Sequence, residues 1–215
     1  MAQRLPLLLT VLVVTLGVLV WWQTTQGFRA FTWETHRRLQ IEQTPIPVPN
    51  VMLEDQHGQH LELASLRGKV LVVNFIYTRC PTICGYTGMV YAQLQTALQQ
   101  RGVHGHVQLL SISLEPHYDT PARMQAYMQR FTREQSGHWQ TLRAVDPHQG
   151  KALLQRLGVV SIADGFGGIT HNAASHIIDP QGRLVQIVDE DKPDVVLQAI
   201  ERLLNVPEPQ PHVAL

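Results

Sequence analysis

The stretch from residue 70 to residue 98 constrains this chain more than any other. It opens with Val-Leu-Val-Val-Asn-Phe-Ile over residues 70–76, nearly continuous in apolar, β-branched and aromatic side chains. A run of that kind can be buried on both faces, as a central strand of a parallel sheet must be. Then come Tyr77-Thr78-Arg79-Cys80-Pro81-Thr82-Ile83-Cys84-Gly85, after which Val90, Leu94, Ala97 and Leu98 recur at helical spacing. One face of a helix over about 84–100 can therefore pack back onto the strand. Both cysteines of the protein lie where that strand ends and that helix begins. Unpaired amides and the helix dipole favour a thiolate at such a place, and Cys80 is the expected more acidic thiol.

The rest of the chain supplies partners for this unit. Short strand-like runs at 51–53 and 60–63 flank the turn Asp55-Gln56-His57-Gly58. A further strand is expected over 107–114. Thr120-Pro121 then reads as N-cap and first-turn proline of a helix whose buried face is Met124, Tyr127, Met128 and Phe131. Asp146-Pro147 repeats the signal, with Leu153, Leu154 and Leu157 inward and Gly158 as the stop. A glycine-rich segment, Asp164-Gly165-Phe166-Gly167-Gly168-Ile169-Thr170-His171-Asn172, is expected to be an exposed loop able to move. Residues 174–178 and 183–188 read as a hairpin closed by Asp179-Pro180-Gln181-Gly182, and a last helix spans about 193–204. This order of elements is that of an α/β, thioredoxin-like fold, a central mixed sheet flanked by helices. In open α/β sheets chemistry collects at the carboxyl ends of the strands, where Cys80 stands.

The organisation expected is an N-terminal flank (1–4), a transmembrane anchor (5–22), a polar linker (23–44), one domain (45–205) and a proline-rich disordered tail (206–215). Residues 5–22 carry no charge; as a helix they would span ~27 Å, enough for a bilayer core, with Trp21 and Trp22 at the interface. A cleaved signal peptide is the alternative, but the apolar run exceeds a normal signal core and no small-x-small site follows. Charge counting does not settle orientation, because Arg4 precedes the span while Arg29, Arg37 and Arg38 follow it. Seventeen basic and seventeen acidic residues cancel, and nothing in the composition suggests a nucleic-acid footprint, which would need a basic stripe. Two cysteines are too few for a disulfide scaffold.

Three residues separate Cys80 from Cys84, one more than in the thioredoxin redox motif, and with the second in the first helical turn both can face one pocket. Two soft thiolates suit Cu(I), Zn or a reversible disulfide. A permanent staple is the bland alternative, though so short a loop would stabilise little. His57, His60, His104, His106 and His176 read as ordinary surface or strand residues.

The segment Asn74-Phe75-Ile76-Tyr77-Thr78-Arg79-Cys80-Pro81-Thr82-Ile83-Cys84 resembles the signature of the SCO/SenC family of membrane-anchored, thioredoxin-like copper-binding proteins. Ser111-Ile112-Ser113-Leu114-Glu115-Pro116 with Asp119-Thr120-Pro121, and Trp139 with Leu142, are similar to that family's middle region. His171, nine residues before Pro180, stands in a segment similar to its histidine-bearing loop. The resemblance covers about 51–204 and the N-terminal span. It implies a copper site of Cys80, Cys84 and His171, holding Cu(I) or Cu(II) and delivering it to the CuA-bearing subunit of cytochrome c oxidase, with Cys80 and Cys84 also able to form a disulfide. It further implies a thiol reductant protein as partner, contact with the lipid bilayer through 5–22, and a domain outside the bacterial plasma membrane in preference to the mitochondrial intermembrane space. The chain departs from the family pattern at Thr82, Gly85, Thr170, His117 and Tyr118. Lost negative charge there bears on histidine orientation and docking and removes no ligand.

The competing expectation is a thiol-disulfide oxidoreductase, with Cys80 attacking a partner disulfide and Cys84 resolving the mixed intermediate. Redox thioredoxins place a proline just before the strand facing the cysteines; residues 169–175 contain none, and His171 occupies that neighbourhood. A peroxidase is weaker still, since no Pro-x-x-x-Thr-x-x-Cys arrangement is present.

Overall fold

The computed structural model describes residues 4–25, 27, 31–80, 83–132, 138–165 and 168–205. It divides into two units, residues 1–45 and 46–215. The first holds α1 (Arg4–Thr24) and α2 (Trp33–Gln43). Along α1 the large apolar side chains from Leu8 to Trp22 are exposed. Among the described residues no helix is long and apolar enough to cross a membrane, so the transmembrane anchor expected over 5–22 is not supported.

The linker expected over 23–44 contains α2, which hydrophobic periodicity did not reveal because other forces make it. The Thr32 hydroxyl accepts from Thr35 N at 3.1 Å, and Glu34 pairs with Arg37 and Arg38, each at 2.9 Å, three and four residues on. Cap and ion pairs satisfy helix ends and faces without an apolar stripe.

The second unit contains β1 (Ile46–Pro47), β2 (Met52–Asp55), β3 (His60–Glu62), β4 (Val70–Ile76), α3 (Ile83–Gln100), β5 (Val107–Ser113), α4 (Pro121–Met128), β6 (Trp139–Ala144), α5 (Pro147–Leu157), β7 (Ser161–Ala163), β8 (Ile169–His171), β9 (Ala174–Ile178), β10 (Arg183–Asp189) and α6 (Pro193–Leu204). The main sheet runs β1-β10-β9-β4-β5-β6-β2-β3 among the described strands, with β4–β5 and β5–β6 parallel and β4–β9 antiparallel. Every residue of β4 and of β5 is buried, as the nearly continuous apolar pattern of β4 predicts; β5 buries Gln108, Ser111 and Ser113 along with its apolar residues. Val70, Val72 and Ile76 of β4 join Val90, Tyr91 and Leu94 of α3, Tyr127 of α4 and Val196 and Ile200 of α6 in the core. Phe75 and Ile112 point the other way, lining a cavity with Leu153 and Leu154 of α5. The strand feeding the cysteines is thus clamped from both sides.

Local signals decide the ends. Asp55 Oδ1 accepts from His57 N and Gln59 N, each at 2.8 Å, closing β2–β3. Asp179 Oδ1 accepts from Gln181 N and Arg183 N at 3.0 and 2.8 Å, closing β9–β10. Asp146 Oδ1 accepts from His148 N at 2.8 Å at the start of α5, and Gly158 ends that helix with φ of 70°. Two expectations are corrected. Strand β6 was not read as a strand, because Trp-Gln-Thr-Leu-Arg-Ala is half polar; Thr141 is nevertheless buried there, and its N–H donates to Gln56 Oε1 at 3.0 Å. The glycine-rich segment is not loop throughout, since Ile169–His171 within it forms β8 and pairs with β7 just before it, Ser161 facing His171 and Ala163 facing Ile169. The expected tail over 206–215 lies outside the described residues.

The left-handed cap of α5 yields one prediction. Gly158→Ala forces a β-carbon into a conformation that L residues avoid, and costs about 1 kcal/mol, read as a lowered urea midpoint at unchanged slope.

Candidate metal and thiol site

The turn after β4 is fixed from several directions at once. Leu114 N donates to Ile76 O at 2.8 Å, and Cys80 N donates to Tyr77 O at 3.1 Å. Between them, the fully buried Asp119 carboxylate accepts from Thr78 N at 3.2 Å, from the Thr78 hydroxyl at 2.6 Å and from the Ser113 hydroxyl at 2.5 Å. Arg79 Nε donates to Glu115 Oε2 at 2.8 Å. The buried carboxylate is thus satisfied by one backbone amide of the turn and two hydroxyls. Cys80 is thereby held at the mouth of the central strand.

Cys84 sits in the first turn of α3, and the Tyr127 hydroxyl donates to its carbonyl at 2.7 Å. Both cysteines are free thiols and both are buried, Cys80 at 8% exposure and Cys84 at 2%. Burial pushes the Cys84 thiol well up; the neighbouring Cys80 side chain and the Glu190 carboxylate push the same way, and only a backbone hydrogen bond from Tyr77 opposes. At Cys84, then, desolvation outweighs the helix-terminus effect that the sequence suggested. Pro81 and Thr82, between the two sulfurs in sequence, lie outside the described residues.

The ribbon β7–β8 meets this turn at Tyr77. Ile169 N donates to the Tyr77 hydroxyl at 3.3 Å, and that hydroxyl also touches the Cys80 side chain. Burial raises the Tyr77 pKa, so the phenol keeps its proton. At Gly168 a β-carbon would lie 2.4 Å from Asp164 Oδ2, so a larger residue there would displace the Asp164 carboxylate, whereas the Tyr77 hydroxyl, 3.4 Å away, would be in ordinary contact. At the base of the ribbon, Asn172 accepts from Val160 N at 2.8 Å and donates to Gly158 O at 3.0 Å.

His171 closes β8, two residues beyond the one bonded to Tyr77. Its ring nitrogens are both shielded from solvent, and neither has a hydrogen-bond partner among the described residues. Burial lowers its pKa, opposed by a contact with the Asn172 backbone that falls short of hydrogen-bond geometry. The ring is therefore neutral at physiological pH, the form that ligates metals. The structure brings Cys80 and Cys84 together and ties the histidine-bearing ribbon to the tyrosine beside them. It does not close the three into a ligand shell, since among the described residues no group of three or more His, Cys, Asp or Glu is placed to hold a metal ion. His176, by contrast, is fully buried in β9 and stands edge-on to Phe75 with centroids 5.6 Å apart.

Sequence reasoning missed Glu190. It follows β10 in the run Asp189-Glu190-Asp191, which reads as a solvated acidic turn. In fact Glu190 is 6% exposed, with Oε2 accepting from the Thr87 hydroxyl of α3 at 2.6 Å and Oε1 lacking a partner among the described residues. Thr87 lies three residues after Cys84, so this carboxyl sits behind the second thiol. Burial raises its pKa to about 7. No local signal distinguishes Glu190 from its neighbours, because only the packing of β10 against α3 and α6 buries it.

A mixed sheet of this order, with a Cys-x-x-x-Cys pair at the carboxyl end of its central parallel strand, defines a thioredoxin-like dithiol protein. The family model described as SCO1/SenC matches residues 45–205, and the chain belongs to that family. It is 24% identical over 135 residues to the SCO1 protein homolog of Bacillus subtilis (strain 168), covering 62% of this chain and 68% of that protein. Among solved structures it is similar to Bradyrhizobium japonicum ScoI with copper bound, with a TM-score of 0.62 and 25% identity, covering 73% of this chain and 99% of that one. It is also similar to BsSco, described as a member of the Sco family of cytochrome c oxidase assembly proteins with a disulfide switch. There the TM-score is 0.66 and the identity 18%, covering 76% and 96%.

Two predictions follow from the site's buried acids. Asp119→Ala strands three donors in the core and lowers stability by about 3 kcal/mol, measured by urea denaturation. Glu190 keeps its proton in the native state between the ordinary 4.5 and about 7, a window in which the unfolded chain has released it. The native state binds more protons there, so stability falls as pH rises from about 4.5 to 7 and levels off above. Glu190→Gln removes that fall, on the order of 3 kcal/mol, in urea midpoints compared across the window.

Proposed function

We propose that this chain is a copper carrier that delivers copper to the CuA centre of cytochrome c oxidase, holding the ion between Cys80, Cys84 and His171. The observation that carries the reading is the company the two reduced thiols keep: an imidazole with two shielded, unpartnered nitrogens, on a ribbon bonded to the tyrosine that touches Cys80. An unpaired buried polar atom costs roughly 1–3 kcal/mol, which a metal bond would offset. Two thiolates and one neutral nitrogen suit soft Cu(I), and the added nitrogen also accommodates Cu(II). Copper in the Bradyrhizobium structure and the oxidase-assembly role of the BsSco family support extending both to this chain.

The ribbon gives the carrier a means of release. His171 stands outside the main sheet, so a small displacement of β7–β8 removes one ligand while the two sulfurs stay put. The partners of this reading are the oxidase subunit carrying CuA and a thiol reductant protein that keeps Cys80 and Cys84 reduced. We place the domain on the outer side of a bacterial plasma membrane, facing the periplasm or the cell exterior.

A second reading is a thiol-disulfide oxidoreductase, favoured by the contact between the two sulfurs and by the lack of an assembled three-ligand group among the described residues. Anaerobic titration of the reduced protein with Cu(I) against a competing chelator separates the two. The carrier binds one copper, and His171→Ala weakens it tenfold or more, while Cys80→Ser abolishes tight binding. Equal affinity in wild type and His171→Ala removes the histidine from the site. Because burial raises the Cys84 pKa, uptake releases protons and affinity climbs with pH, which a pH-stat or calorimetry in buffers of different ionisation heat would record.

A further inference from the structure

Beside the cysteines lies an open cleft of roughly 350 Å³, lined among others by Thr78, Arg79, Tyr118, Arg123, Tyr127 and Arg130. We propose that this arginine cup is the docking surface for an acidic face of the protein partner that meets Cys80. The inference deepens the reading above only in assuming that these thiols face a partner protein, whether to pass copper or to exchange electrons.

The cup is built, not incidental. The Arg123 guanidinium lies 3.9 Å from the centroid of the Tyr118 ring, with Arg79 4.8 Å from the same ring, and Arg130 is 4.7 Å from the Tyr127 ring. Arg123 Nη1 donates to Tyr118 O at 2.6 Å, and Arg130 Nη2 reaches Thr78 O at 3.4 Å. Guanidiniums stacked on aromatic rings and tied to carbonyls lose little freedom when an anion arrives, and their remaining N–H groups suit carboxylates.

Local charge is not balanced. Among the described residues Glu115 is paired with Arg79, and Asp119 is fully buried against Thr78 and Ser113, so three guanidiniums share this region with two carboxylates that engage neither Arg123 nor Arg130. Among the described residues no ion pair engages Arg123 or Arg130. The chain as a whole has formal net charge zero, so this excess is a local arrangement and not a reflection of a basic protein.

Position assigns the cup its use. Thr78 and Arg79 immediately precede Cys80, and Tyr127, which forms the cup's wall, donates its hydroxyl hydrogen bond to Cys84 O. A protein bringing its own thiols to Cys80 must lay neighbouring residues over this rim. Acidic residues there would speed encounter and fix orientation, whereas basic ones would be repelled.

The test uses the reduced full chain and two synthetic peptides that differ only in charge. Each has one cysteine activated as a mixed disulfide with thionitrobenzoate, flanked by glutamates in one and by lysines in the other. The protein thiolate attacks the peptide sulfur, the peptide-protein disulfide forms, and coloured thionitrobenzoate leaves with the electron pair of the old bond. The expected result is a rate constant about tenfold higher for the glutamate peptide at low salt, shrinking toward parity at high salt. In Arg123→Glu/Arg130→Glu the preference reverses, and in the milder Arg123→Gln/Arg130→Gln it disappears, with Cu(I) affinity unchanged in both. Equal rates for the two peptides in wild type, or a ratio that survives both double variants, overturns the proposal. If wild type binds no copper yet keeps the charge preference, the carrier reading falls and the docking surface stands.

Discussion

The site depends on one buried carboxylate. Asp119 lies forty-one residues from Thr78 in sequence, yet it is the group that holds the end of the central strand in the shape that presents Cys80. A strand buried on both faces must surrender its backbone groups abruptly where the sheet stops. Without acceptors for the amides beyond Ile76, the chain would extend toward water and carry the first sulfur with it. Asp119 takes the Thr78 amide and hydroxyl, Tyr77 O takes the Cys80 amide, and Ser113, at the end of the neighbouring strand, locks the carboxylate in turn. The two parallel strands therefore end as one piece, and the thiol inherits its position from both.

Around that fixed point, burial sets the charge state of each reactive group. Cys84 and Glu190 are pushed toward their protonated forms and His171 toward its neutral form, in each case chiefly by desolvation. Such a site is quiet in isolation. Its thiol becomes a nucleophile or a ligand only when something takes its proton, and its imidazole is competent without any change. This pattern suits a protein that must avoid indiscriminate reaction while travelling with reduced cysteines, and it makes ligand uptake and proton release two aspects of one event.

Much of this was legible in the sequence wherever a local rule decides the outcome. The seven-residue apolar run at 70–76, the Thr120-Pro121 and Asp146-Pro147 helix starts, the glycine stop at 158 and the Asp179 turn each announce themselves within a few residues, and each forms as expected. Both cysteines and His171 were nameable from their place and from a family resemblance. What escaped notice depends on tertiary context. Strand β6 is half polar and survives because Gln56 meets Thr141 inside; α2 stands on caps and ion pairs; Glu190 looks like a surface acid until β10 is packed. The glycines near His171 suggested free motion, whereas the absent β-carbon at 168 leaves room for the Asp164 carboxylate, which accepts from Gly168 N.

The ribbon itself carries a further consequence. Among the described residues it shares no ladder with the main sheet, and each of its strands is three residues long. Its opening is thus an event separate from global unfolding, with its own small free energy, drawn from a few backbone bonds, the Asn172 clasp and a single phenol contact. How far the His171 imidazole can swing is set by that local equilibrium. A substitution at Asn172 would retune that opening without altering Cys80, Cys84 or His171.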